Sequence, residues 1–210
     1  MKYKRFNTLF YSVTAVFLTC CSAGELGGPD YAEIPFTIEN KRIVVEAVAN
    51  GKKGRFVFDT GTTESYLDIF VMNLVTERYT IIPYKGEQVK TRIYNLNEIT
   101  FGDIKLRTKS WVIKHSDLLL KVQRDGFDGL LGALTFEGYW CELSFSKSKI
   151  ILHKEKPGYF THFSPVMILN YFNADFFIPV IIDGETFYFD IDTGSPYGIY
   201  FPGGLVKAKD

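Results

Sequence analysis

The motif that decides the fold occurs twice, in FVFDTGTTESYLD at Phe56–Asp68 and in FDIDTGSPYGIYF at Phe189–Phe201. In both repeats Asp-Thr-Gly follows directly on an aromatic, strand-like run. A turn-forming pair, Asn50-Gly51 or Asp183-Gly184, ends eight residues before each aspartate. Asn-Gly or Asp-Gly between strand residues is the strongest short signal for a β-hairpin. Each repeat therefore predicts a strand, a tight turn, a second strand and an aspartate on a sharp loop.

The two aspartates, Asp59 and Asp192, predict acid–base chemistry. A carboxylate activates water when a second group donates a proton at the same place, and two adjacent carboxyls supply both roles. Because like charges at short range do not both ionise, such a pair shares one proton. The alternative for a single Asp-Thr-Gly is a plain turn between strands, and the matched hairpins favour the pair.

Composition favours an all-β fold. The 210-residue chain is 16% aromatic, with 19 Phe and 13 Tyr, and is rich in strand-forming Val and Ile. It carries 24 basic and 24 acidic residues, and the three charges before Glu25 are all basic, which leaves 21 basic residues beyond them. There is no basic stripe, so we expect no nucleic-acid partner.

The N-terminus, residues 1–21, reads as an export leader. Lys2, Lys4 and Arg5 form a positive start, and Leu9–Thr19 is an apolar core too short to cross a bilayer. Residues 22–32 are expected to be a small, polar spacer. The leader predicts an exported protein.

The end of the leader, Leu18–Ser22, resembles the lipobox of bacterial lipoproteins. The resemblance implies lipidation of Cys21 and a membrane-anchored protein that faces the periplasm or the cell surface. Cys20 stands where a small residue is usual, so Cys20 and Cys21 both remain candidates. The alternative is an ordinary signal peptide cleaved near Ala23. In either case Cys141 is expected to be a small core residue rather than half of a disulfide.

Further strands are expected along both repeats, with one helix at Asp68–Glu77. The hairpin broken at Lys85–Glu87 is a candidate flap with Gly86 at its tip. The predicted strands are Ile34–Glu39, Arg42–Ala49, Gly54–Phe58, Ser65–Leu67, Gly129–Gly132, Trp140–Phe145, Lys149–His153, Met167–Asn170, Phe176–Ile182 and Phe187–Ile191.

One family matches this order of motifs. Phe56–Gly61, followed by Asp128-Gly129-Leu130-Leu131-Gly132, resembles the retropepsin-like aspartic protease domain. There, an apolar-apolar-Gly strand passes through the loop that carries the aspartate. The resemblance implies a barrel lobe at residues 33–156 and an incomplete second lobe at residues 160–210. Exported bacterial proteins with two such lobes in tandem look similar in layout.

The resemblance also implies an activity: an aspartic endopeptidase in which Asp59 and Asp192 activate water against peptide or protein substrates. It implies no cofactor and no metal, and the three histidines show no metal-ligand spacing. Thr60, Gly61 and Thr62 would brace and shape one loop, with Thr193, Gly194 and Ser195 in the other, while Leu130, Leu131 and Gly132 support them. In the homodimeric variant, Asp59 of two chains forms the pair.

Two features distinguish the second repeat. Asp190 stands where the first repeat has the apolar Val57, and no apolar-apolar-Gly strand follows Asp192. One expectation is therefore that the chain is a piece of a longer two-lobe protein. The alternative function is a non-catalytic exported lipoprotein that keeps the fold as a binding or scaffold module.

Overall fold

The computed structural model describes residues 17–19, 28–67, 77–84, 87–96, 98–107, 111–113, 122–159, 167–170, 175–182 and 184–196. Most of these residues lie in strands, so the fold is all-β, as composition predicts. A 3-10 helix spans Ala133–Phe136. The strands are β1 Phe17–Thr19, β2 Tyr31–Pro35, β3 Thr37–Glu39, β4 Arg42–Ala49, β5 Lys52–Asp59, β6 Tyr66–Leu67, β7 Glu77–Tyr84, β8 Glu87–Asn95, β9 Glu98–Phe101, β10 Ile104–Arg107, β11 Trp111–Ile113, β12 Gly129–Gly132, β13 Trp140–Ser144, β14 Lys149–His153, β15 Met167–Asn170, β16 Asp175–Ile182 and β17 Glu185–Asp190.

A seven-stranded sheet organises the first lobe. Its order is β10-β9-β4-β5-β12-β6, and β3 also pairs with β4. Within it, β5 and β12 run parallel. A parallel pair needs a long crossover connection, which here is the chain between the end of β5 at Asp59 and the start of β12 at Gly129. The strand that delivers Asp59 is therefore central, with β4 on one edge and β12 on the other.

Both faces of β5 are buried at Phe56, Val57 and Phe58, which explains the apolar run there. Phe56 and Phe58 face the main core, and Val57 faces a smaller one. The same alternation holds for β12, where Leu131 faces the main core and Leu130 the smaller one. The smaller core also contains Val44, Val122 and Phe127.

A second sheet, ordered β1-β13-β14-β2, covers the main core from the other side. Ile34, Leu143 and Leu152 from this sheet are buried in that core. Cys141 is also buried there, as predicted. The register of β14 with β2 extends to Tyr31 opposite His153, so β2 begins inside the predicted spacer. The short strand β1 lies within the predicted leader and pairs with β13.

The turns predicted from Asn-Gly and Asp-Gly join paired strands. Asn50 and Gly51 have φ of +46° and +82°, the left-handed values that a type I′ turn requires at both central positions. In the second repeat, Gly184 has φ +84° between β16 and β17. These two strands and β15 form a separate three-stranded antiparallel sheet.

The predicted flap region is a hairpin. β7 and β8 pair from Glu77 opposite Tyr94 to Tyr84 opposite Glu87, and β11 adds a third strand. Gly86 lies outside the described residues, as do residues 68–76 of the predicted helix, and Glu77 begins β7. Among the residues described, no helix is long and apolar enough to cross a membrane.

Candidate active site

The first aspartate loop, residues 59–65, is held by β12. Gly132 of β12 lies opposite Asp59, the last residue of β5, and β6 returns antiparallel on the other edge of β12. The loop must therefore pass around the end of β12. The Ala133 N–H donates to the Thr62 carbonyl at 2.8 Å, and the Leu134 N–H donates to the Thr63 carbonyl at 3.1 Å. Pairing with β12 and hydrogen bonds to the start of the 3-10 helix thus hold the first aspartate loop in place.

The close passage of β12 requires its glycines. A Cβ on Gly132 would lie 2.2 Å from the Glu64 carbonyl oxygen, and one on Gly129 would lie 2.4 Å from the Tyr66 carbonyl oxygen. Both distances are far below van der Waals contact, and the opposing atoms are main chain. The prediction that this Gly-Leu-Leu-Gly strand passes close to another backbone is confirmed.

Beneath the loop lies a buried hydroxyl pair that the sequence did not reveal. Ser65 Oγ and Thr135 Oγ1 are 3.1 Å apart, and Ser65 Oγ accepts a hydrogen bond from the Gly132 N–H at 3.2 Å. Ser65 and Thr135 are both buried. Because buried polar groups are costly unless they are paired, this network fixes the end of the loop relative to β12.

The second aspartate loop, residues 191–195, follows β17 and packs on the first lobe. Ile191 lies against the main core. The hydroxyl groups of Thr60 and Thr193 bind both loops together: each accepts from the main-chain N–H of the other threonine, at 3.0 and 3.1 Å. Each hydroxyl also donates across the boundary, Thr60 to the Ile191 carbonyl and Thr193 to the Phe58 carbonyl.

This exchange brings the two carboxylates to the same place. A Cβ on Gly61 would lie 2.6 Å from Asp192 Cγ, and one on Gly194 would lie 2.2 Å from Asp59 Cγ. Each carboxyl therefore packs against the glycine of the other loop, a position that only a residue without a side chain allows. Asp59 is half-buried and Asp192 is exposed, so the pair is accessible to solvent.

Main-chain N–H groups orient both carboxylates. The Gly61 N–H donates to Asp59 Oδ1 at 2.9 Å. Asp192 Oδ1 accepts from the N–H groups of Gly194 and Ser195, each at 2.9 Å. Hydrogen bonds from main-chain N–H groups to a carboxylate are charge-assisted, and they fix the orientation of each carboxyl.

Two side chains of the first aspartate loop and β6, Glu64 and Tyr66, are partly desolvated. Burial raises the pKa of Glu64, opposed by a weaker main-chain hydrogen bond. Burial also raises the pKa of Tyr66, and the carboxylates of Glu64 and Asp59 add to that rise against a hydrogen bond with Thr62. A further negative charge near Asp59 is therefore disfavoured.

A buried arginine reaches the second loop from the first lobe. Arg42, the first residue of β4, donates from Nε to the Gly194 carbonyl at 3.0 Å and from Nη1 to Asp125 Oδ2 at 2.5 Å. Its side chain is 9% exposed. Arg42 was not among the predicted site residues; the available signal was a charged residue at the start of a mostly apolar strand.

The structure brings most of the predicted site residues together. Thr62 lies in the first loop, where its hydroxyl donates to the Glu64 carbonyl at 3.2 Å, and Ser195 binds Asp192 through its N–H. Leu130 and Leu131 are buried in β12 beneath the site. Gly86 and Cys21 lie outside the described residues.

No protein-family model and no curated protein matches this sequence. Among solved structures, the chain is similar to a retropepsin-like aspartic protease from Rickettsia conorii. The similarity covers 61% of this chain and 95% of that one, at 19% sequence identity and a TM-score of 0.40.

Proposed function

We propose that this chain is an aspartic endopeptidase whose dyad is Asp59 and Asp192. The observation that carries the proposal is the reciprocal packing of the two loops, in which each carboxyl lies against the glycine of the other loop. A turn that served only to connect strands would need neither this approach nor two carboxylates oriented by main-chain N–H groups. The arrangement is suited to two carboxyls that share one proton.

In the proposed reaction, the ionised aspartate accepts a proton from a water molecule as its oxygen attacks the carbonyl carbon of a peptide bond. The protonated aspartate donates its proton to the carbonyl oxygen, which gives a tetrahedral diol. The aspartate that took the proton from water then donates it to the amide nitrogen as the C–N bond breaks. The other aspartate accepts a proton from one hydroxyl of the diol, which becomes the carboxylic acid product, and the dyad again holds one proton. Either residue can hold the proton at a given moment, because the titration belongs to the pair.

An open site beside the dyad supports a peptide substrate. The site is open to solvent beside Asp192 and bounded by the partly buried Tyr66 and Glu64. The β7–β8 hairpin is the candidate flap. We infer a substrate in extended conformation, a peptide or an unfolded protein segment.

The test is cleavage of a peptide library from acid to neutral pH by the parent chain, Asp59→Asn and Asp192→Asn. Asp103→Asn, in an exposed turn between β9 and β10, is the matched control and should cleave like the parent. We expect both dyad substitutions to reduce cleavage at least about a thousandfold, since each removes a group needed for proton transfer.

The pattern of loss distinguishes the alternatives. If only Asp59→Asn abolishes cleavage, the dyad is formed by Asp59 of two chains, as in a homodimer. If the parent chain cleaves nothing at any pH, the peptidase proposal is wrong, and the binding or scaffold module becomes the better explanation.

We also propose export and anchoring through the leader, on the strength of its charge pattern and the lipobox-like Leu18–Ser22. Labelling with a radioactive fatty acid should mark the parent protein in a bacterial host. Loss of label in Cys21→Ser but not in Cys20→Ser would assign the lipid to Cys21. An unlabelled parent that is still secreted would indicate an ordinary signal peptide.

A further inference from the structure

The carbonyl that Arg42 binds belongs to a peptide group with a second partner. The peptide between Gly194 and Ser195 is planar, so its C=O and its N–H are fixed relative to one another. Arg42 Nε donates to the C=O at 3.0 Å, and the Ser195 N–H donates to Asp192 Oδ1 at 2.9 Å. The Ser195 nitrogen also lies 3.4 Å from the Asp192 carbonyl oxygen, so Asp192 offers this N–H two acceptors.

Arg42 therefore acts on Asp192 through one peptide plane. A cation on the carbonyl holds the plane in one orientation and polarises the N–H at its far end. Asp125, which binds the other end of the guanidinium at 2.5 Å, fixes the arginine in turn. This gives an uninterrupted chain of hydrogen bonds from a turn of the first lobe to an aspartate of the second repeat.

Burying Arg42 to make this contact costs more free energy than a purely structural role requires. Arg42 is buried, and burying a guanidinium costs free energy that an ion pair barely offsets. An apolar side chain at the start of β4 would fill the same space without that cost. The guanidinium instead donates a hydrogen bond to the Gly194 carbonyl oxygen of the second aspartate loop.

The repeats differ at this position. β4 and β16 each run eight residues into a hairpin turn, and Asp175 begins β16 as Arg42 begins β4. The equivalent position of the second repeat therefore holds no arginine, so the contact between Arg42 and the second aspartate loop is not repeated from that position.

We propose that Arg42, held by Asp125, is a positioning residue for Asp192 that sets the Gly194–Ser195 peptide and makes the two aspartates inequivalent. The inference rests on the proposed function for its catalytic meaning. The contact itself is tested without any activity.

The first measurement is hydrogen exchange of the Ser195 amide by NMR in the full-length chain. In Arg42→Met we expect this exchange to become about tenfold faster or more, since hydrogen bonds to charged groups contribute that much to local opening. Arg42→Lys keeps the charge but not the fork of donors and should lie between Arg42→Met and the parent. The Leu131 amide in β12 is the internal reference for global unfolding.

Lys53→Met is the matched control, because it removes an exposed ion pair with Glu46 from the same hairpin. It should leave Ser195 exchange unchanged. The proposal is wrong if Arg42→Met speeds exchange of the Ser195 amide by no more than it speeds exchange of the Leu131 amide. It is also wrong if Lys53→Met speeds exchange of the Ser195 amide as much as Arg42→Met does.

The second measurement is the split between kcat and KM on a cleaved peptide. A residue that positions Asp192 should lower kcat about tenfold when replaced by Met while KM stays within about twofold. A change confined to KM would assign Arg42 to substrate binding and overturn the proposal. If the parent chain has no activity, the proposed function fails, and the exchange experiment still decides whether Arg42 orders the second loop.

Discussion

Thr60 and Thr193 exchange hydrogen bonds across the boundary between the repeats, each hydroxyl accepting from the main-chain N–H of the other at 3.0 and 3.1 Å. Each hydroxyl also donates to a carbonyl of the opposite repeat. Four bonds thus join two short loops that are 133 residues apart in sequence. The distance between Asp59 and Asp192 is set by this exchange, because each aspartate is the residue immediately before a bonded threonine.

Thr60→Val is predicted to destabilise the protein by about 2–3 kcal/mol. The substitution keeps the shape of a fully buried side chain but deprives the Thr193 N–H and the Ile191 carbonyl of a partner, and unsatisfied buried groups cost about 1–3 kcal/mol each. Urea unfolding gives the free energy. Thr60→Ser should recover most of the loss.

The control for Thr60→Val is Thr37→Val. Thr37 is exposed on β3 and its hydroxyl binds the Glu39 carboxylate at 2.7 Å, so its replacement should cost less than about 0.5 kcal/mol. A Thr60→Val protein as stable as the Thr37→Val protein would mean that the exchange does not hold the loops.

Gly132→Ala is predicted to reduce both stability and peptide cleavage, although residue 132 lies in β12 and not in either aspartate loop. The added methyl would lie 2.2 Å from the Glu64 carbonyl oxygen, a main-chain atom that moves only if the whole first aspartate loop moves. Overpacking of this kind costs about 1–3 kcal/mol. We expect a loss of unfolding free energy in that range together with a loss of peptide cleavage, since the displaced loop carries Asp59.

Gly158→Ala provides the comparison for Gly132→Ala, because nothing lies within 4 Å of a Cβ at Gly158. That variant should match the parent in both stability and cleavage. If Gly132→Ala and Gly158→Ala had the same stability and cleavage, the first aspartate loop would move away from the added methyl without loss of unfolding free energy.

The elements that local chemistry decides were predictable from the sequence. The Asn50-Gly51 turn demands two left-handed residues, and few other pairs supply them. The Gly129–Gly132 strand was recognisable because glycines that bracket an apolar pair indicate a close backbone approach. Both predictions depend on fewer than ten neighbouring residues, and the structure confirms both.

The contacts between residues that lie far apart in the sequence were not predictable. Arg42 and Gly194 are 152 residues apart, and Ser65 and Thr135 are 70 apart. Nothing in the immediate neighbourhood of a buried polar residue says which distant group will satisfy it. The packing of the second loop on the first lobe, where Ile191 lies against the core, brings Gly194 to Arg42. The passage of β12 beside the first loop brings Thr135 to Ser65.

Glu64→Gln is predicted to stabilise the protein at neutral pH. Burial raises the pKa of Glu64, so the folded state binds its proton more tightly than the unfolded state does. The cost of the charge is absent below the unfolded pKa of about 4.5 and grows as the pH rises through the folded pKa. The glutamine variant should therefore be more stable than the parent at pH 7 and equal to it near pH 4.

Glu46→Gln should show the opposite sign. Its partner Lys53 lowers the pKa of Glu46, so the charged form stabilises the folded state and its loss at pH 7 is unfavourable. Urea unfolding of both variants at pH 7 and pH 4 separates the two cases. Destabilisation of both variants at pH 7 would contradict a desolvated Glu64.

Protonation of His153 makes the stability of the fold depend on pH, in a higher pH range than the titration of Glu46. Its ring lies between Tyr31 and Tyr159, and its Nε2 is 3.9 Å from Glu142 Oε2. Burial lowers the pKa of His153 from about 6.5, and Glu142 opposes the shift only in part. The unfolded state therefore binds the proton first as the pH falls, so stability is complete above pH 6.5 and declines below it.

The test is the slope of unfolding free energy between pH 7.5 and 5.5 in the parent and in His153→Gln. We expect a shallower decline in the variant, because its residue 153 does not titrate. The other two histidines are present in both proteins and cancel in the difference. The lowered pKa values of Glu33 and Glu39 place their titration below this window. Equal slopes would mean that His153 protonates as readily in the folded protein as in the unfolded one, in spite of its burial.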